Sequence, residues 1–179
     1  MATATELDRD TTQLVFRASL DALAEPGELR ELPEAGLPAA LLPLLSLADL
    51  DTPVFTDTEH DAVRTATGSP LVPPERARLA AVLGDTVPLH RFPAGSAAAP
   101  ERAALITLAV AGFSAGTALQ LTGPGVPGSR ELRVRGLPDD FTAQRAALSG
   151  FPAGPDLLLV APDGRLAGLP RSTRVEGAS

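Results

Sequence analysis

The first half of the chain places hydrophobic residues at helical spacing, with short extended stretches between. Asp10 can cap a helix with Gln13 as its capping-box partner, and Phe16, Leu20 and Leu23 follow at i, i+4 and i+7. A Pro-Gly pair ends this helix. The pattern further predicts an extended piece at residues 29–32, helices at 37–50 and 57–66, and a strand at 52–55. Residues 76–83 suit either a helix or a strand, and the Gly-Asp turn that follows favours a strand.

The second half of the chain changes to the spacing of strands. Residues 103–111 form a nearly continuous apolar run that suits a strand buried on both faces, and residues 117–121 alternate as its partner. A third strand alternates around Leu132 and Val134, residues 141–148 are helical, and strands at 157–160 and 165–169 complete the sheet. The sequence therefore predicts an α/β fold, with a mixed β-sheet and flanking helices.

The length of the chain limits how many domains this fold can have. At 179 residues and 44% hydrophobic, it is the size of one domain that can bury a core. We expect residues 1–9 to be a flexible N-terminus and residues 10–179 to form a single domain.

Composition excludes several chemistries. All 15 basic residues are arginine, so no lysine can form a Schiff base with pyridoxal phosphate or serve in a phosphate-binding P-loop. The absence of cysteine excludes disulfides and thiol nucleophiles, and a net charge of −7 argues against nucleic-acid binding. The acidic start is unlike a signal peptide, and the longest apolar stretch is only half of a bilayer span. We therefore expect a cytoplasmic protein that does not enter a membrane.

Two local patterns suggest catalysis or metal binding, but the residues around them lack the arrangement that a catalytic or metal site requires. Ser114 lies in a G-x-S-x-G sequence, but a strand pattern follows it, and both histidines precede it, so a glycine-flanked hairpin turn is the favoured interpretation. Asp57, Glu59, His60 and Asp61 crowd together, yet their spacing presents too few ligands on one face of a helix. We expect no metal site here.

Three turns carry candidate ligand-binding residues. Asp49 and Asp51 could present two carboxylates for acid/base work or hold Mg²⁺ from a nucleotide, although a capping role is the favoured alternative. Glu25 lies beside a turn glycine that lets a ligand approach the backbone, and the turn containing Gly123 and Gly125 could cradle an anion with its amides. In both cases a simple turn or helix stop is the alternative.

The C-terminal tail gives the strongest candidate for anion binding. Arg171, Ser172 and Thr173, followed by Arg174, combine guanidinium and hydroxyl groups at a strand end, and arginine suits bidentate recognition of phosphate or phosphonate. In an extended segment Arg171 and Thr173 would share one face. A solvated strand end with surface ion pairs is the alternative.

Several short motifs in a fixed order resemble one known family. They are Phe16-Arg17, the Ala-Glu-Pro-Gly turn at 24–27, Asp-x-Asp-Thr-Pro at 49–53, Pro100-Glu101, Leu-Thr-Gly-Pro-Gly at 121–125, Phe-Pro-x-Gly-x-Asp at 151–156 and Pro-Arg-Ser-Thr at 170–173. The chain resembles PhnH, the H subunit of bacterial carbon–phosphorus lyase. Two departures are visible. Ser172 stands where threonine is more usual, and Pro155 stands where a branched apolar residue is usual.

This resemblance implies a fold like that of the pyridoxal-phosphate-dependent transferases, without the cofactor. It further implies a dimer that assembles with subunits of the G, I and J types and supports formation of ribose 1-phosphonate 5-triphosphate from ATP and an alkylphosphonate. In that scheme the chain is an accessory subunit with little or no activity alone. The alternatives are a free-standing Mg-dependent phosphoryl or nucleotide enzyme that uses Asp49, Asp51 and Arg171, and a purely structural dimeric scaffold.

Overall fold

The fold is built from short elements, described by a computed structural model over residues 7–84, 87–148 and 150–178. Within these ranges the helices are α1 (Arg9–Ala24), α2 (Leu42–Leu47), α3 (His60–Thr67) and α4 (Phe141–Ala147). The strands are β1 (Arg30–Glu31), β2 (Val54–Thr56), β3 (Leu79–Val82), β4 (Leu105–Ala109), β5 (Gly112–Thr122), β6 (Arg130–Arg135), β7 (Asp156–Val160), β8 (Arg165–Leu169) and β9 (Arg174–Gly177).

A six-stranded mixed sheet occupies the middle layer, in the order β1-β8-β7-β4-β3-β2. Strands β2, β3, β4 and β7 run parallel, and β8 and β1 are added antiparallel at one side. The α/β fold with a mixed sheet is therefore confirmed. Its relation to the pyridoxal-phosphate-dependent transferases stays a prediction.

Two layers cover this sheet, because alternate residues of each strand point to opposite faces. On one face a second sheet, in the order β6-β5-β9, packs its Leu119 and Leu132 against Ile106 and Leu157. On the other face α1 and α2 cover Leu158. Full burial of such aliphatic side chains stabilises the fold by about 1.5–3 kcal/mol each.

The three-stranded sheet corrects one sequence-based prediction. Strand β5 was expected to pair with the buried strand β4, but it pairs with β6 and β9 instead. The chain turns from the first sheet to the second at residues 110–112. The hydrophobic pattern of a strand shows which residues alternate and which are buried, but it does not show which strand pairs with it. The division into two sheets therefore could not be predicted from the pattern.

Helix α1 also differs from its prediction. Asp8 rather than Asp10 caps it, with Oδ1 accepting from the amide of Thr11 at 2.9 Å. The buried side of the helix consists of Val15, Ser19 and Ala22, whereas Phe16 and Leu20 are 48% and 54% exposed. The small residues face inward because the helix lies close to β8, where the backbone of Gly168 approaches that of Ala22.

Apart from β9, which the sequence pattern did not predict, the remaining elements follow the predictions with shifted ends. The helix expected at 37–50 is a 3-10 turn, Ala39–Leu41, followed by α2, and the strand expected at 76–83 is β3. Most of the expected flexible N-terminus lies outside the described residues, and the helix already begins at Arg9. Across the described ranges, every helix is too short or too polar to span a bilayer.

Candidate functional site

The tail motif at 170–173 forms a tight turn between β8 and β9. The amide of Thr173 donates to the carbonyl of Pro170 at 2.9 Å, so the segment is not extended, and the expectation that Arg171 and Thr173 share a strand face is wrong. Thr173 is buried, and Arg171 and Ser172 are half-buried. The turn lies at the edge of the main sheet where its parallel strands begin.

Arg171 binds groups from two other segments of the chain. Its Nη2 lies 2.6 Å from Oδ2 of Asp156, the first residue of β7, and its backbone amide donates to Oδ1 of the same carboxylate at 2.7 Å. Its Nη1 donates to the carbonyl of Pro100 at 2.6 Å, in the loop that precedes β4. The hydrogen bond with Asp156 raises the pKa of Arg171 above its usual value. Three of the motifs that carry the resemblance therefore meet at one guanidinium.

Arg145 of α4 lies beneath this turn and is 1% exposed. It donates from Nη1 to the carbonyl of Pro155 at 2.7 Å and from Nη2 to the carbonyl of Pro170 at 2.6 Å. Burial lowers its pKa, the charge of Asp156 opposes that effect, and the charge of Arg171 adds to it. We call Arg145, Asp156 and Arg171 the buried clamp.

Sequence reasoning did not select Arg145. Its only signal is its position four residues after the buried Phe141 on a helix that was correctly predicted. The carbonyl of Pro155 is one of its acceptors, while β7 begins only at the following residue, where the amide of Asp156 donates to Ala104. The proline therefore removes no strand hydrogen bond here.

Two of the other candidate turns, at residues 24–27 and 121–125, meet beside the buried clamp. The backbone of Gly123 packs against the carbonyl of Ser172, and that of Gly125 packs against the carbonyl of Ala24 at the end of α1. At both glycines an added Cβ would overlap those carbonyl oxygens. The close approach explains why glycine occupies both positions, with φ of 128° and 79°.

A group of four charged side chains surrounds this junction, and we call it the surface ion cluster. It consists of Glu25, Glu28, Arg30 and Arg130. Arg30 pairs with Glu25 and, at 3.1 Å, with Glu28; Arg130 lies 3.6 Å from Glu28 and donates to the carbonyl of Pro26 at 2.6 Å. The neighbouring Glu25 side chain, together with the charge of Arg30, lowers the pKa of Glu28. Three of its members line an open groove of about 550 Å³, namely Glu25, Glu28 and Arg130.

Asp49 and Asp51 lie elsewhere. Oδ1 of Asp49 accepts from the hydroxyl of Thr52 at 2.6 Å and from the amide of Asp51 at 3.1 Å, which is the capping geometry of a turn. These two bonds lower the pKa of Asp49. The turn precedes β2, three strands from β7, so about 14 Å of sheet separates it from the buried clamp.

The two weak patterns have structural explanations. Ser114 lies in β5, where the ladder with β6 is bulged between Gly112 and Thr117; the expected hairpin turn is wrong, and no helix follows the serine. Asp57 accepts from the amides of Leu83 and Gly84, both at 2.8 Å, and so caps the end of β3. Among the described residues no three metal-binding side chains converge.

A cavity of about 80 Å³, lined mostly by apolar residues, lies at the opposite edge of the sheet, where the parallel strands end. This is the edge at which open α/β sheets usually bind ligands. Val82, Leu108 and Phe141 line it, and Gln144, its polar side chain, already binds the amide of Leu89 and the carboxylate of Asp140. None of the eight candidate residues lines this cavity.

The sequence matches known proteins along nearly its whole length. The profile of the family described as "Bacterial phosphonate metabolism protein (PhnH)" matches residues 5–176. A relative from Stutzerimonas stutzeri, "Putative C-P lyase subunit protein HtxG", is 32% identical over 169 residues, which cover 91% of this chain and 85% of the relative. A second relative, "Alpha-D-ribose 1-methylphosphonate 5-triphosphate synthase subunit PhnH" from Rhizobium meliloti (strain 1021), is 32% identical over 180 residues, covering 92% and 90%. The chain belongs to the PhnH family.

Proposed function

We propose that this protein is a subunit of a carbon–phosphorus lyase system for phosphonate catabolism. In that role it supports formation of ribose 1-phosphonate 5-triphosphate from ATP and an alkylphosphonate, in the cytoplasm, as a homodimer that assembles with subunits of the G, I and J types. The observation that carries the proposal is the family match over residues 5–176, joined by two relatives whose names describe such subunits.

An accessory role, with little or no activity alone, fits the geometry of the tail motif. A phosphonate would need free guanidinium donors, but those of Arg171 point to Asp156 and to backbone carbonyls. The motif lies at the edge where strands begin, opposite the edge at which α/β sheets usually bind ligands. These facts favour a structural role for Arg171, namely joining the loops before β4 and β7 to the tail. Roles for Arg171, Ser172 and Thr173 in ligand binding stay predictions.

The surface ion cluster is the better place for an anion to bind. The guanidinium of Arg130 lines an open groove beside Glu25 and Gly125, both of which were candidates from sequence. An incoming phosphate or phosphonate group could replace a glutamate as partner of Arg130, whose charge pair with Glu28 is already long at 3.6 Å.

A free-standing Mg-dependent enzyme fits less well. Its residues would be Asp49, Asp51 and Arg171, but the capping turn and the buried clamp are about 14 Å apart, whereas Mg²⁺ takes its ligands at about 2.1 Å. Because the chain has no lysine, an internal aldimine with pyridoxal phosphate cannot form, so any kinship with those transferases is one of fold alone.

Complementation of a strain that lacks its own H subunit tests the proposal. The wild-type gene should restore growth on methylphosphonate as sole phosphorus source, whereas the purified chain should form no ribose 1-methylphosphonate 5-triphosphate from ATP until the partner subunits are added. Failure to restore growth, while the soluble folded protein is present in the cells, would contradict the proposal. Turnover by the isolated chain would support the free-standing enzyme instead.

Two variants separate ligand binding from structure. Arg171→Ala should lower both the thermal midpoint and growth, because the side chain is 19% exposed and joins three segments. An unchanged midpoint with loss of growth would instead support a direct role in binding. Ser114→Ala is the matched control, since Ser114 is exposed on a bulged strand, and it should leave both measurements unchanged.

A further inference from the structure

The surface ion cluster holds two carboxylates and two guanidinium groups in one patch, so its formal charges sum to zero. Arg30 pairs with both glutamates, and the side chain of Glu25 lies close enough to Glu28 to lower its pKa. Of the four residues, Glu25, Glu28 and Arg130 line the open groove. The groove therefore presents two negative groups and one positive group to a ligand.

Arg130 is the cation of the cluster that keeps donors for a ligand. Its Nη1 donates to the carbonyl of Pro26 at 2.6 Å, which fixes the guanidinium at the wall of the groove. Oε2 of Glu28 lies 3.6 Å from its Nη2, which is too far for a hydrogen bond. Within the described residues the guanidinium makes no further hydrogen bond. An anion in the groove therefore meets donors of Arg130 that no described protein group satisfies.

The two glutamates make the groove a poor site for a simple dianion. Glu25 is exposed and Glu28 half-buried at this groove, so a phosphate beside Arg130 faces both carboxylates, and like charges at a binding surface are unfavourable. An ammonium group has the opposite charge and offers three donors, which suits the oxygens of two neighbouring carboxylates. Val126 and Pro127 complete the lining with apolar atoms, against which a short carbon chain can pack.

We propose that this groove binds an alkylphosphonate that also carries an ammonium group, with the phosphonate on Arg130 and the ammonium on Glu25 and Glu28. The inference rests on the proposed function, and it specifies the class of phosphonate. Because Arg130 and Glu28 lie 3.6 Å apart, a ligand with two carbons between its charged groups faces both residues at once. The charges of the ligand are then antiparallel to those of the protein pair, and Arg30 continues to hold both glutamates.

The backbone holds these groups in place before a ligand arrives. The amide of Glu25 donates to the carbonyl of Asp21 at 3.0 Å, and the amide of Glu28 donates to the carbonyl of Glu25 at 3.1 Å. Gly125 packs against the carbonyl of Ala24, so the turn before β6 is fixed against the end of α1. A site that is already ordered loses less conformational freedom on binding, which favours affinity for a small ligand.

Calorimetry with three matched probes tests the proposal on the purified full chain. 2-Aminoethylphosphonate carries both charged groups, ethylphosphonate lacks the ammonium, and ethylamine lacks the phosphonate. Wild type should bind 2-aminoethylphosphonate at least about fivefold more tightly than either of the others, the size expected from ion pairs at an exposed site. Equal affinities for 2-aminoethylphosphonate and ethylphosphonate, or no measurable binding of any probe, would overturn the proposal.

Glu28→Gln should move the affinities for two of the probes in opposite directions. It removes one partner of the ammonium, so 2-aminoethylphosphonate should bind at least about threefold less tightly. It also removes a charge that opposes an anion, so ethylphosphonate should bind more tightly. Glu131→Gln, whose ion pair with Arg133 lies on the outer face of β6, is the matched control and should change neither affinity. Changes of the same sign for both probes, or no change, would mean that Glu28 does not hold an ammonium.

Arg130→Met tests the other end of the ligand. It should weaken the binding of both phosphonates, whereas its matched control Arg133→Met should not. Thermal midpoints show whether each variant is folded, and the Glu28 variant keeps the proposal testable if Arg130→Met is not. A folded Arg130 variant with wild-type affinity for both phosphonates would place the ligand elsewhere and overturn the proposal.

Growth separates this inference from the proposed function. If wild type restores growth on methylphosphonate but binds 2-aminoethylphosphonate no better than ethylphosphonate, the proposed function stands and the inference is wrong. If the probes and the Glu28 variant behave as expected but wild type restores growth on no phosphonate, the groove stands as a binding site and the proposed function is contradicted.

Discussion

The buried clamp and the surface ion cluster use the same pairing of arginine with carboxylate in opposite environments. In the buried clamp, Arg145 is 1% exposed, and the paired side chains of Arg171 and Asp156 are 19% and 22% exposed. In the surface ion cluster, the side chains of Glu25 and Glu28 are 51% and 43% exposed. Burial decides what such a pair does, because breaking it leaves an uncompensated charge only where water cannot reach.

The largest effect is therefore expected at Arg145. Arg145→Met keeps much of the volume but leaves the carbonyls of Pro155 and Pro170 without their donor and leaves Asp156 with one cationic neighbour fewer. We expect a loss of about 3–5 kcal/mol in the free energy of unfolding, measured by urea denaturation. Arg133→Met, on the exposed face of β6, is the control and should change stability by less than about 0.5 kcal/mol. Equal effects at the two positions would contradict the comparison.

The pair of Asp156 and Arg171 comes second. Asp156→Ala removes the acceptor of two guanidinium bonds and of the Arg171 amide, and we expect a cost of about 2–4 kcal/mol. Because the residues share one network, the double variant with Arg171→Ala should cost about 1–3 kcal/mol less than the sum of the single variants. Additive costs in that double-mutant cycle would show that the two residues act independently.

These sites differ in how far sequence could identify them. Most strands and helices followed from alternation and spacing, although β9 did not, and the motifs at 100–101, 151–156 and 170–173 were all noticed. Their meeting at one guanidinium was not predictable, because loops far apart in sequence are brought together by the order of strands in the sheet. Arg145 shows the same limit, since a buried arginine and an exposed one occupy similar helix positions until its neighbours are known.

Helix α1, in which Phe16 and Leu20 are exposed, shows a second limit. The spacing of hydrophobic residues correctly predicted an amphipathic helix in this region, but it did not determine which side of the helix is buried. Ser19 and Ala22 turned out to be buried, where the main chain of β8 comes too close for leucine or phenylalanine. Hydrophobicity alone therefore points to the wrong face when the close packing of backbones selects small residues.

Backbone packing next to the surface ion cluster gives the third prediction. Gly125→Ala would place a Cβ against the carbonyl of Ala24 in addition to straining a φ of 79°, whereas Gly128→Ala at φ 69° meets open space. Backbone strain at such a φ costs about 1–3 kcal/mol in both, so the steric overlap should make the Gly125 variant less stable than the Gly128 variant by at least about 1 kcal/mol. Thermal midpoints of both would show the difference, and identical midpoints would mean that the turn moves freely away from α1.

The smallest effect is expected when a charge of the surface ion cluster is removed without changing its shape. Glu28→Gln keeps the size of the side chain and its ability to form hydrogen bonds, but it removes the charge that faces Arg30 and Arg130. Water surrounds this carboxylate, so the thermal midpoint should stay within experimental error of wild type, and added salt should reduce any difference that exists.

The same variant also tests anion binding. If Arg130 is free to bind an anion, Glu28→Gln should bind phosphate more tightly than wild type, measured by calorimetry. Glu131→Gln, whose ion pair with Arg133 lies on the outer face of β6, is the matched control and should not change phosphate binding. A large fall in stability at Glu28 would mean that the surface ion cluster resembles the buried clamp, and the contrast between the two regions would then be wrong.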